Sequence, residues 1–166
     1  MRTTVLIIVF SFLLDQLSKF FVQKYLELRK LIFIMGNYVR LYHVKNRGGA
    51  FGIFANIDSS YRDFIFIIVS LFALGILIYL FWKCPRENQL MRYALSLIAG
   101  GALGNLYDRI FYGEVIDFID IGIDYHRWPT FNFADIAITL GVFLVMIETI
   151  RTYKKIPKNE ILPESQ

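Results

Sequence analysis

Cysteine and histidine are scarce in this chain, and each shortage removes a class of protein. Of 166 residues one is cysteine, so Cys84 has no partner within the chain and a disulfide scaffold is excluded. The two histidines, His43 and His126, stand in no H-E-x-x-H segment, which leaves an intramembrane zinc protease without ligands; no metal or other cofactor is expected. No G-x-S-x-G serine elbow occurs. The glycines of Gly100-Gly101-Ala102-Leu103-Gly104 lie inside an apolar stretch with no Lys-Ser/Thr after them, so they are not a phosphate loop but allow close helix approach. Charged residues make up 19% and hydrophobic ones 56%, more apolar side chain than one soluble core of this length accommodates. The net charge of +4 is therefore read as membrane-flanking cations rather than as a nucleic-acid surface.

Four apolar blocks organise a single domain over residues 1–156, followed by a polar, proline-containing tail at 157–166 that is expected to be disordered. The uncharged run Phe64 to Trp82 spans roughly 28 Å as a helix, close to the thickness of a bilayer core. The first block runs from Thr3 or Thr4 to about Val22. A cleavable secretory signal is the competing reading there, but no small-residue cleavage site follows, and apolar residues resume after Lys19. Asp15 and Lys19, four apart, share a helical face and can neutralise each other. The third block, about Leu90 to Tyr107, is rich in small residues. The fourth runs from about Phe133 to Ile150.

Between the first two blocks, Leu31 to Val44 reads as a surface hairpin turning at Gly36-Asn37. Asn46 to Gly52 reads as a loop, and Phe51 to Tyr61 as a segment lying along the headgroups. An even number of spans puts both termini on one side; the Lys83–Arg92 loop and the Arg151–Lys158 tail favour the cytoplasm, by a thin margin of charge.

The remaining chemistry is a crowd of carboxylates and amides at one end of the third and fourth blocks. Asn105, Asp108 and Arg109 close the third, Asp117 follows within Val115 to Ile119, and Asn132 and Asp135 open the fourth. Singly each has a structural role to hand: Asn132 as helix cap with Asp135 in the first turn, Asp108 with Arg109 as an ion pair, Asp117 on a turn or strand open to water. Together they cost free energy at an apolar boundary. Two aspartates sharing one proton over a water can hydrolyse a peptide without metal or cysteine. The residues leave Asp108 a rival to Asp117 for such a pair, although Arg109 beside it favours Asp117.

Five segments occur in an order that resembles the prolipoprotein, or type II, signal peptidases. They are Asp15-Gln16-x-Ser18-Lys19, Asn46-x-Gly48-Gly49-Ala50-Phe51, Gly100 through Asn105-Leu106-x-Asp108-Arg109, Val115-x-Asp117-Phe118, and Phe131-Asn132-x-Ala134-Asp135. The resemblance implies an all-α membrane protein of four transmembrane helices. A small extracytoplasmic β-sheet and a surface loop or helix would lie between the first two. It implies an aspartic endopeptidase of the bacterial inner membrane, with both termini cytoplasmic and the active site near the extracytoplasmic face. The enzyme would cut a lipid-modified prolipoprotein just before its diacylglyceryl cysteine. Asp117 and Asp135 would be catalytic, and Asp15, Lys19, Asn46, Gly48, Asn105, Asp108, Arg109 and Asn132 would bind substrate or support the site. The expected partners are that precursor and membrane lipids, with no nucleic acid, and the chain is expected to be a monomer. The competing functions are a non-catalytic four-helix scaffold or carrier with a polar pathway, and, more remotely, a presenilin-like protease.

Overall fold

The computed structural model describes residues 2–47 and 59–154. The expectations for Gly48, for most of the 51–61 segment and for the 157–166 tail lie outside the described residues. Each apolar block forms one helix: α1 (Arg2–Tyr25), α2 (Ser59–Lys83), α3 (Gln89–Tyr112) and α4 (Phe133–Tyr153). Four strands stand between them: β1 (Leu31–Met35), β2 (Val39–Asn46), β3 (Val115–Ile123) and β4 (His126–Arg127). α2 begins before its uncharged run, so residues 59–61 belong to the helix.

α1, α2 and α4 are long and apolar enough to cross a membrane; α3 is not among the helices that meet that measure. The reason is its position. α3 packs against each of the other three helices, and a helix covered by protein has no need of an apolar surface. Its small residues permit this: a Cβ on Gly100 would stand 2.7 Å from Ser11 Cβ, and one on Gly104 would run into the Asp15 carboxylate. α1 therefore lies close along α3 and parallel to it. α4 runs the other way, since Gly101 faces Ala134 while Gly141 faces Ala94. α2 is also antiparallel to α3, with the Arg109 guanidinium over Phe66 and Arg92 over Phe81. The C-terminal ends of α1 and α3 and the N-terminal ends of α2 and α4 thus share one end of the bundle.

The sheet sits at that end. Its strands are antiparallel in the order β1-β2-β3-β4. The first hairpin turns where expected, with Gly36 at φ 52. β3, left open between turn and strand by its sequence, pairs with both β2 and β4. Strand periodicity places its side chains: Ile116 and Phe118 enter a core with Val22 of α1 and Leu26 just after that helix, and Leu41, Ile119 and Phe133 pack around them. Each such side chain contributes about 1.5–3 kcal/mol on burial. Asp117 points to the opposite face.

Candidate active site

That opposite face meets the ends of α3 and α4. Asp117 is 3% exposed, so the expectation of a water-exposed carboxylate on this strand does not hold. Its Oδ1 accepts from Asn132 Nδ2 at 2.7 Å and its Oδ2 from Asn46 Nδ2 at 2.9 Å. Asn46 lies opposite Val115 across the β2–β3 ladder, diagonal to Asp117, which puts both side chains on one face.

Asp135 enters from α4. Asn132 is the N-cap: its Oδ1 accepts from Asp135 N at 3.0 Å while Asp135 Oδ2 accepts from Asn132 N at 3.2 Å, a reciprocal capping box. Asn105 Nδ2 donates to Asp135 Oδ1 at 2.9 Å. Asn132 therefore touches both aspartates, one through its amide nitrogen and the other through its oxygen and backbone. Asp135 remains partly exposed, whereas Asp117 is sealed.

Behind the pair lies a buried ion cluster. Lys19, 1% exposed, stands 2.7 Å from Asp15 Oδ2 and 2.8 Å from Asp108 Oδ2, and it donates to Asn105 Oδ1 at 3.0 Å. Asp15 and Lys19 pair as their spacing predicts, but the cation on Asp108 is Lys19, not Arg109. Asp108 Oδ2 also accepts from Ile116 N, and its Oδ1 accepts from Gln16 Nε2 at 3.0 Å. Both of its oxygens are thus engaged in holding α1 and β3. Asp15 Oδ1 accepts from Ala134 N at 2.9 Å, tying α1 to the start of α4.

The structure brings together every described residue of the expected site. The side chains of Asn46, Asn105 and Asn132 are hydrogen-bonded to the carboxylates of Asp117 and Asp135. Arg109 donates to Asn105 O at 3.3 Å and has Asp135, Asp117 and Asp108 within electrostatic reach. Two contributors went unassigned in the sequence reading. Gln16 bonds Asp15, Asp108 and the Gly104 carbonyl; its signal was its place between Asp15 and Lys19. Glu114 is clamped by Lys45 and by Arg47 Nε at 2.9 Å, and so secures the chain on both sides of Asn46. Burial pushes the Glu114 carboxyl up, but those two hydrogen bonds outweigh it and hold the group below the usual range. The alternation Lys45-Asn46-Arg47 was the only trace of this clamp.

Four carboxylates (Asp15, Asp108, Asp117, Asp135) face two cations (Lys19, Arg109), so full ionisation would leave two uncompensated negative charges. Burial is the main cause that pushes Asp117 up to about 7; the Asn46 hydrogen bond opposes the rise and the charge of Asp135 adds to it. A proton on the pair relieves the repulsion. Among the described residues no cluster of His, Cys, Asp and Glu could hold a metal ion.

A family model described as signal peptidase (SPase) II matches residues 7–151. The lipoprotein signal peptidase of Geobacter sulfurreducens is 41% identical over 145 residues, 87% of this chain and 89% of the relative. That of Syntrophus aciditrophicus is 36% identical over 143 residues, 86% and 89% of the two chains. A bacterial membrane enzyme solved by the in meso method at 2.3 Å resolution superposes with a TM-score of 0.84 at 33% identity, covering 95% of this chain and 94% of that one.

Proposed function

The chain belongs to the signal peptidase II family, and from that premise we propose that Asp117 and Asp135 are the catalytic pair of an aspartic peptidase that cleaves signal peptides from prolipoproteins. The observation that carries this assignment is Asn132, whose single side chain touches both carboxylates. A water between the two would lose a proton to the ionised member as it attacks the scissile carbonyl. The protonated member would donate to the carbonyl oxygen as charge develops there. Asp135, at the positive end of α4 and partly exposed, suits the ionised role. Asp117, sealed and pushed up to about 7, suits the protonated one. Asn46, Asn105 and Asn132 fix the geometry; Arg109, with one N–H on the Asn105 carbonyl, has further donors with which to meet substrate backbone.

In this reading α3 is the fourth span, shielded by its three apolar neighbours, and the sheet and the aspartates lie at the extracytoplasmic face. Both termini are then cytoplasmic in the inner membrane, and the enzyme works as a monomer. The substrate carries diacylglycerol on the cysteine that follows the cut. The acyl chains already lie in bilayer or detergent, so they contribute through packing contacts with the helices rather than through transfer from water; about 2.7 kcal/mol of such contacts is worth about a hundredfold in kcat/KM. A precursor with an unmodified cysteine is expected to be processed at least that much less efficiently by the purified protein in detergent. Equal processing of both precursors would remove the lipid from the specificity.

The raised pKa of Asp117 has a signed consequence for stability. Between its unfolded value near 4 and about 7 the folded protein binds more protons than the unfolded chain, so stability falls as pH rises through that window and levels off above it. The span of about three units corresponds to roughly 4 kcal/mol. Asp117→Asn cannot ionise, and its melting temperature in detergent is expected to decline less than that of the parent from pH 5 to pH 8. Parallel declines would show that Asp117 titrates normally.

A further inference from the structure

At the end of the bundle away from the aspartates, α1, α2 and α3 enclose a groove of 770 Å³, within the range of small-molecule sites. Its walls are apolar, with Ile8, Leu77, Ala99 and Leu103 among them, and Arg86 and Arg92 stand at its mouth. Arg92 is fixed there: it donates to the Cys84 carbonyl at 3.2 Å and lies 4.5 Å from the centroid of the Phe81 ring. Lys83 adds a third cation, beside Tyr79 and Trp82. Between residues 83 and 92 the only acid is Glu87, and Glu148 of α4, within electrostatic reach of Cys84, is paired with Arg151.

We propose that this groove is a binding site for one anionic phospholipid, its acyl chain between α1, α2 and α3 and its phosphate on Arg86 and Arg92. Depth and charge support that occupant. From Arg92 to Leu103 the groove follows α3 for about 16 Å, half of a ~30 Å hydrocarbon core and therefore one leaflet. Cationic pockets between helices are the recognised means of holding acidic headgroups on the cytoplasmic side. The rival occupant, the signal peptide of the substrate, carries positive charge at its own N-terminus and would meet like charge at this mouth. The site stands apart from the aspartate pair; it rests on the proposed cytoplasmic placement of the termini and not on the assignment of that pair.

Trp82 lines the groove, and Trp128 is the only other tryptophan, so Trp128→Phe makes Trp82 the sole reporter. In phosphatidylcholine vesicles doped with a minor fraction of lipid brominated on its chains, brominated phosphatidylglycerol is expected to quench Trp82 severalfold more than brominated phosphatidylcholine. Arg86→Gln and Arg92→Gln are each expected to bring the two to the same level. Arg86 is exposed in the loop, so its loss leaves the helix packing untouched and tests the charge alone. Equal quenching by both lipids in the parent, or a preference that survives both substitutions, would overturn the site. Displacement of the phosphatidylglycerol by a full-length precursor would transfer the groove to the substrate and overturn it as well.

Discussion

Asp117→Asn and Asp135→Asn are each expected to lower turnover of a lipid-modified precursor by about a thousandfold, within the range that loss of a general acid or base produces, while the protein stays folded. The two substitutions act on different halves of one event. At position 135 the amide cannot take the proton of the attacking water; at position 117 it cannot supply an acidic proton to the carbonyl oxygen and return it. Because both groups act in one chemical step, the double variant should be little worse than either single one. The measurement is single-turnover cleavage in detergent, with thermal unfolding alongside as the control for folding. Retention of a tenth of the parent activity by either variant would remove that residue from the chemistry. Asp108→Asn is the informative comparison, since both Asp108 oxygens are engaged by Lys19, Gln16 and the β3 backbone. Its principal effect belongs in the melting temperature.

Lys19→Met is expected to be the most destabilising single change. Its ammonium is almost wholly buried and serves two carboxylates and one amide oxygen. Removing one member of a buried ion pair costs about 3–5 kcal/mol, because the partner charge is left without compensation. Here two partners are left. A fall in melting temperature of about 10 °C or more is the expected reading. Activity should fall with it, because Lys19 and Asn132 together hold the Asn105 oxygen, which turns the Asn105 NH₂ toward Asp135. Adding Asp108→Asn to Lys19→Met should recover part of the lost stability, since one orphaned charge disappears; a double variant weaker than the sum of the singles would contradict the coupling. Lys19→Arg should not restore the parent, because a planar guanidinium does not fit a space shaped for a compact ammonium.

The helices were legible in the sequence because bilayer thickness converts an apolar run directly into a helix length. Gly36-Asn37 marked its turn for a similarly local reason: its backbone preference needs no distant partner. β3 was not legible, since Val115 to Ile119 is apolar on both sides of Asp117 and shows no alternation; only its ladder to β2 decides which face Asp117 takes. The same holds for Asp108. Its neighbour Arg109 suggested an ion pair, and the actual cation comes from position 19, across the α1–α3 contact that Gly100 and Gly104 allow.

By itself, then, the sequence determined the helical blocks and the set of polar residues that had to be accommodated at one end of an apolar bundle. Only the tertiary structure decided how those residues divide their work: Asp117 and Asp135 joined through Asn132, Asp15 and Asp108 committed to Lys19. The physical reason is that a buried charge is stable only in the presence of its partners, and here those partners lie as far as 119 residues apart along the chain, where no local pattern records them.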